Sequence, residues 1–281
     1  MSNPREEIER FNEERRDYSN RWGAENAPNL VNQDSYSWMA SFIESQKNVL
    51  DIGCGDGSGI IELAERGHSV ISIEENPYCI EQARQNCIKS NIKVNTVLRG
   101  EVSLKEGITK VSYSPVGSIA QPLPGEVLII EGDILNDDVL LHWLMTANLF
   151  NAVTCWCIGT YVKRLHSTNG ARNYRLYMEN AAYNLADKVL LPGGVLHFVH
   201  RVFSRGEEFS VDDRNDELRA NKEMAEVTSL IVDEDSLIYR DFSLPRNENG
   251  IPLSQSMGTN SGASQSSGSK SQLESIQARK P

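Results

Sequence analysis

Residues 49–60 read VLDIGCGDGSGI, an apolar run that ends in the carboxylate of Asp51 and then spends Gly53, Gly55, Gly57 and Gly59 on one turn. So many glycines mean either backbone angles that other residues avoid or a main chain that a ligand must touch. The loop is therefore read as a site. Outward from it, apolar strand segments alternate with amphipathic helices: NVLDIG, a helix after Ser58, SVISIE, the helix PYCIEQARQNCIKS, EVLIIEGDI, the helix NDDVLLHWLMTANL, NAVTCWCIG, the helix around NYRLYMENAAYNLADKVL, and GVLHFVHRVF. This alternation predicts an α/β fold with a doubly wound, mostly parallel sheet. Ligands of such sheets lie beyond the carboxyl ends of the strands, where this loop sits.

Residues 1–45 read as an N-terminal helical arm. Asn3 is placed to cap it, Pro4 suits its first position, and Ile8, Phe11, Tyr18 and Trp22 form a sparse apolar stripe. The stripe either docks the arm on the core or makes it a lid over the glycine loop. A second helix is expected over 34–46. The main domain spans 46–250, with an insertion at about 92–125 whose alternation in KVNTVLRGEV and TKVSYSP suggests a hairpin. Residues 251–281, rich in serine and glycine, are expected to be a disordered tail.

The whole chain sets further limits. Its 281 residues carry a formal charge of −11, which argues against a phosphate backbone as the main partner, because such affinity comes from lysine and arginine. Five cysteines, Cys54, Cys79, Cys87, Cys155 and Cys157, lack the spacing of a zinc site and the density of a disulfide scaffold. They read as reduced thiols, and a cytoplasmic location is expected; no metal is expected either. The N-terminus lacks the apolar core of a signal peptide. Residues 139–162 are interrupted by His142, Asn148, Asn151 and threonines, so no membrane segment is expected.

A strand followed by G-x-G serves both dinucleotides and S-adenosylmethionine. Ser58 stands where a dinucleotide loop wants a third small glycine or alanine. Asp51 would oppose a pyrophosphate and suits a cationic amino group and sulfonium. Glu74, 21 residues after Gly53, can accept from ribose hydroxyls, and Asp133 in EGDI can accept from an adenine amino group. Over roughly residues 46–203 the chain resembles the class I S-adenosylmethionine-dependent methyltransferases. The resemblance implies a Rossmann-like sheet of the seven-stranded type and S-adenosylmethionine as cofactor. It implies that Asp51, Gly53 and Gly55 hold the methionine end, Glu74 the ribose and Asp133 the adenine. Cys54, Ile134 and Cys155 are placed beside the cofactor, with Cys157 facing the same way as Cys155 and Trp156 pointing to the core.

The methyl acceptor is read mainly from absences. TCWCIG at 154–159 has no Asn/Asp-Pro-Pro-aromatic signature, no Pro-Cys pair and no acid up to Tyr177. Positive charge replaces them: Lys163, Arg164, Arg172 and Arg175, then His200, Arg201 and Arg205. Such charge at adjacent strand ends would draw in an anion. The expected function is methylation of an oxygen or nitrogen atom on an anionic small molecule, with Lys163, Arg164, Arg172 and Arg201 as substrate-binding residues. Alanine at Arg164 and Arg172 is then expected to raise the Michaelis constant and leave cofactor affinity alone. His166 and His200 are the candidate bases. An RNA or protein methyltransferase and a non-catalytic cofactor-binding subunit are the alternatives. Oligomeric state is not legible.

Overall fold

The structure, a computed structural model, describes residues 3–43, 47–147, 149–203, 210–244 and 271–281. The N-terminal arm is α1 (Pro4–Arg21), a π-helical turn over Trp22–Asn26, α2 (Ala27–Asn32) and α3 (Ser35–Ser41). Asn3 caps α1 by accepting from the Arg5 N–H at 3.1 Å, with Pro4 at its first position, as their types predict. Residues 44–46, the end of the second expected helix, lie outside the described residues.

Next come β1 (Asn48–Ile52), α4 (Ser58–Glu65), β2 (Ser69–Glu74), α5 (Pro77–Lys89), β3 (Val94–Val97), β4 (Gly100–Lys105), β5 (Ile108–Tyr113) and β6 (Val127–Glu131). They are followed by α6 (Asp138–Ala147), β7 (Phe150–Trp156), α7 (Val162–Ser167), α8 (Ala171–Val189), β8 (Leu190–Phe203), α9 (Val211–Ala225), β9 (Ile231–Asp241) and β10 (Ser271–Arg279).

Among the described residues, eight strands form one sheet in the order β3-β6-β2-β1-β7-β8-β10-β9, parallel except for β10, which runs antiparallel to both neighbours. This is the doubly wound Rossmann-like sheet expected. Alternate strand residues face opposite layers. Leu50, Ile71, Leu128, Val153 and Phe198 pack with α6, α8 and α9; Val49, Val70, Ile129, Ala152 and Val199 pack with the arm, α3, α4 and α5. The chain leaves β1 toward β2 on one side and reaches β7 on the other, so the switch of winding falls between β1 and β7. Among the described residues no helix is long and apolar enough to cross a membrane.

Two expectations need correction. The insertion splits: Val94–Val97 is an edge strand of the main sheet beside β6, and only β4 and β5 form the separate hairpin. Glu131 pins that hairpin to the end of β6 by accepting from the N–H groups of Arg99 and Gly100, each at 2.8 Å. The tail expected to be disordered contains β10, which sits inside the sheet with Leu273, Ile276 and Ala278 buried. Two of its residues find polar partners there: Ser275 Oγ pairs with His197 Nε2 at 2.9 Å, and the Gln277 backbone N–H donates to Ser236 Oγ at 2.8 Å. Residues 245–270 lie outside the described residues.

Candidate active site

Beyond the carboxyl ends of β6, β2, β1 and β7 lies a cleft enclosing about 500 Å³ of empty space, part of it open to solvent. Gly53 and Gly55 follow β1, Glu74 and Glu75 end β2, Gly132, Asp133 and Ile134 follow β6, and Cys157, Ile158 and Gly159 follow β7. Tyr18 and Trp22 of the arm close one side, and Tyr174 and Met178 of α8 another. The arm therefore lies over the glycine loop, with the Trp22 ring packed against it.

The loop is shaped by its residue types. Gly53, Gly55 and Gly57 have φ of 84°, 54° and 91°. A methyl group at Gly55 would overlap the Trp22 indole nitrogen, and one at Gly53 would overlap the end of Ile158, so both positions need glycine for these side chains to pack on the loop. The Gly55 N–H donates to Glu74 Oε2 at 3.1 Å, and the Asn76 N–H to Glu74 Oε1 at 3.0 Å. The two bonds aim the Glu74 carboxyl across the cleft floor. Burial pushes Glu74 up to about 7; these two bonds oppose the rise, and Glu75 and Asp51 add to it.

Asp51 does not line the cleft. It is 3% exposed and accepts from Ser72 Oγ at 2.8 Å and Thr154 Oγ1 at 2.9 Å, tying β1 to both neighbouring strands. Burial raises it to about 6 against those two bonds. Glu74 and Asp51 thus hold protons in the fold that the unfolded chain has released, so ligand-free stability falls as pH rises from about 4.5 toward 7.

Among the other expected cofactor residues, Ile134 and Asp133 line the cleft, whereas Cys54 is buried behind the loop. Cys155 and Cys157 are not on one face. β7 ends at Trp156, and Cys157 adopts φ 51°, which breaks the alternation. Cys155 is fully buried in the layer of α6 and α8, and Cys157 is the thiol at the cleft. Trp156 is core, donating through Nε1 to His197 Nδ1 at 3.1 Å.

The expected substrate cations separate. Arg164 donates through Nη2 to Asp133 Oδ2 at 2.5 Å and lies 3.9 Å from Glu75 Oε2. Lys163 Nζ reaches Thr109 Oγ1 of the hairpin at 3.1 Å, and its N–H donates to Glu14 of the arm at 3.2 Å. Arg172 is exposed on α8. Arg201 donates to Asn26 Oδ1 at 2.8 Å, and its guanidinium lies 6.0 Å from the centre of the Trp22 ring. Arg205 lies outside the described residues.

Of the candidate bases, His166 is exposed on α7. His200 is buried, 2.9 Å from Glu179 Oε1, and is not part of the cleft lining. Burial and Arg175 lower His200, while Glu179 pulls the other way. Among the described residues no cluster of three or more His, Cys, Asp or Glu could hold a metal ion.

Tyr18 and Trp22 belong to the apolar stripe whose lid reading brings them to the loop; Glu75, Tyr174 and Met178 are the lining residues without a sequence expectation. Glu75 is legible as a second acid after Glu74. Tyr174 and Met178 come from a helix distant in sequence, and no local spacing reveals them.

Comparison with known proteins meets this geometry. Residues 49–105, from β1 through the first hairpin strand, match the family described as "Methyltransferase domain". A probable cobalt-precorrin-6B C(15)-methyltransferase (decarboxylating) from Methanobrevibacter smithii is 32% identical over 97 residues, 34% of this chain and 51% of that protein. A 23S rRNA (uracil(1939)-C(5))-methyltransferase from Salmonella typhimurium is 32% identical over 75 residues, 27% of this chain and 17% of that protein. The chain thus spans about half the length of the first of these relatives and less of the second. Among solved structures, the N-methyltransferase NodS from Bradyrhizobium japonicum WM9 in complex with S-adenosyl-L-homocysteine is 15% identical, with 95% of this chain and 98% of that one covered at a TM-score of 0.47.

Proposed function

We propose that this chain is a class I S-adenosylmethionine-dependent methyltransferase, a reading supported by the match to the methyltransferase domain over residues 49–105, and that it methylates an oxygen or nitrogen atom of an anionic small molecule. The observation that carries the reading is the cleft itself: acids closing β2 and following β6, a glycine loop after β1, and an arm laid across the top. The residues present fit the cofactor, since the acids Glu74 and Asp133 line one cleft with the glycine loop at Gly53 and Gly55. Glu74 would accept from the ribose hydroxyls, Asp133 from the adenine amino group, and the glycine loop beneath Trp22 would take the methionine end. When bound, S-adenosylmethionine supplies a methyl group on a sulfonium for in-line displacement.

The chain's own contribution is to position and to exclude water. In-line geometry alone contributes up to about 7–11 kcal/mol in well-oriented systems. Tyr18, Trp22, Tyr174 and Met178 wall the space where the acceptor atom must approach, and a roof formed by the arm favours a small acceptor. Arg201 supports an anionic one. It is partly buried beside Trp22, and its partners among the described residues are a neutral amide and an aromatic ring, not a carboxylate. A partly desolvated guanidinium with no carboxylate partner among the described residues fits an anion that arrives with the substrate.

The test is to incubate the protein with methyl-labelled S-adenosylmethionine and a host extract split by size. Label in the metabolite fraction supports the reading; label confined to RNA or protein overturns the choice of acceptor. With the labelled acceptor in hand, Arg201→Ala is expected to raise its Michaelis constant about ten-fold or more, the value of one charge-assisted contact, and to leave cofactor affinity unchanged.

The ionisation of Glu74 adds a second expectation. Ribose hydroxyls donate to the carboxylate, not to the acid, and burial holds that group at about 7. Affinity for S-adenosylhomocysteine should therefore rise about ten-fold from pH 6 to pH 8, with release of a proton. Calorimetry in buffers of different ionisation enthalpy measures both. Glu74→Gln should bind more weakly and lose the pH dependence; a wild-type affinity flat across that range would remove Glu74 from the ribose site.

A further inference from the structure

We propose that Arg164 is a positioning residue of the cofactor site, acting through Asp133 and Glu75, and not a contact for the methyl acceptor. The inference rests on the cofactor reading above and assigns a part of the site that sequence reasoning had given to the substrate.

A carboxylate offers about four lone-pair positions. At Asp133, Oδ1 accepts from the Leu135 N–H at 2.9 Å, while Oδ2 accepts from Asn136 Nδ2 at 2.8 Å and from Arg164 Nη2 at 2.5 Å. Three positions are filled, and both on Oδ2 are among them. The remaining one belongs to Oδ1, and Asp133 lines the cleft. Arg164 and Asn136 thereby fix which oxygen is left for an adenine amino group.

Glu75 is clamped by the same segment. Its Oε1 accepts from Thr160 Oγ1 at 2.7 Å, and its Oε2 faces Arg164 at 3.9 Å. Both partners follow β7, so the segment 160–164 ties the end of β2 to the start of the loop after β6. The other cation facing Glu75 is Arg15, which donates to its carbonyl oxygen. Without the guanidinium, two acids lining one cleft would face each other. Glu75 is raised by burial first and by the Asp133 charge second, and Arg164 opposes both.

Arg164 is also placed by the fold. Lys163 ties the start of α7 to the arm and the hairpin, and Leu165 on the other side is buried. A guanidinium already neutralised by two carboxylates has little attraction left for an incoming anion. This is the contrast with Arg201.

S-adenosylhomocysteine is titrated by calorimetry into wild type, Arg164→Ala, Arg164→Lys, Asp133→Asn and the Arg164→Ala/Asp133→Asn pair, each first checked by thermal melting. Arg164→Ala is expected to weaken binding about ten-fold or more, with Arg164→Lys between it and wild type, since lysine restores the charge but not the planar fork. On the Asp133→Asn background the same alanine should cost much less, a coupling that a merely structural role would not produce. The acceptor Michaelis constant at saturating cofactor should stay within two-fold of wild type, roughly the scatter of additive sites. Wild-type binding by Arg164→Ala, or equal losses on both backgrounds, overturns the assignment; if Arg164→Ala does not fold, Arg164→Lys equal to wild type does so. A wild-type protein that takes up no S-adenosylhomocysteine overturns the cofactor reading and this assignment with it.

Discussion

Stopping the chain before Ser271 is expected to leave no folded domain. The strand that would be lost pairs with β8 from Ser271 opposite Phe203 to Arg279 opposite Val195, and with β9 on its other side. Leu273 and Ile276 are fully buried and Ala278 is 1% exposed. Emptying a large apolar core position costs about 2–5 kcal/mol. Two such positions, with two ladders of backbone hydrogen bonds, equal the whole stability of an ordinary domain, about 5–15 kcal/mol. Circular dichroism and limited proteolysis of the truncated chain should report collapse, and a synthetic 271–281 peptide should restore part of the signal. A truncated protein that melts cooperatively within a few degrees of the full chain would show that β10 is dispensable.

The second large effect separates two neighbouring glycines. Gly57→Ala would place its methyl 2.8 Å from the Ala83 Cα and 2.9 Å from its Cβ, at φ 91°, where α5 backbone and a side chain with no freedom to turn block relief. It should act as a folding mutation, lowering the melting temperature by ten degrees or more, at roughly 2–4 °C per kcal/mol for a chain of this size. Gly55→Ala, at φ 54°, meets a movable side chain instead: it overlaps the Trp22 indole, which can move only if the arm lifts. The left-handed conformation itself adds about 1–2 kcal/mol. Gly55→Ala should therefore melt closer to wild type and lose affinity for S-adenosylhomocysteine about ten-fold or more. Equal melting losses for the two variants, or unchanged affinity in Gly55→Ala, would argue that the arm does not seal the loop.

These contrasts show which parts of the molecule could be read from residues alone. That the glycine loop, Glu74 and Asp133 would meet at one cleft was legible because the carboxyl ends of parallel strands share one edge of the sheet. The fate of Arg164 was not, because a run of positive charge says nothing about which acids a fold will bring to it. β10 was hidden for a different reason. Its apolar residues Leu273 and Ile276 are three apart, which breaks the period of two, and a register shift against β9 between Ser275 and Gln277 absorbs the mismatch. Its Ser275 hydroxyl then finds a partner on His197 and its Gln277 backbone N–H one on Ser236 Oγ, which no local pattern foretells. α9 and β9 are not legible because charged residues outnumber apolar ones in α9 and equal them in β9.

The position of β10 also dictates a schedule. β8 and β9 are made first, yet they do not pair with each other. As the chain grows on a ribosome, both carry open hydrogen-bonding edges until residues 271–279 have emerged and slid between them. Six strands, from β3 across to β8, can assemble during synthesis, but β9 waits for translation to pass Arg279, and in that interval the bare edges of β8 and β9 are the places where a nascent chain would meet a chaperone or another copy of itself.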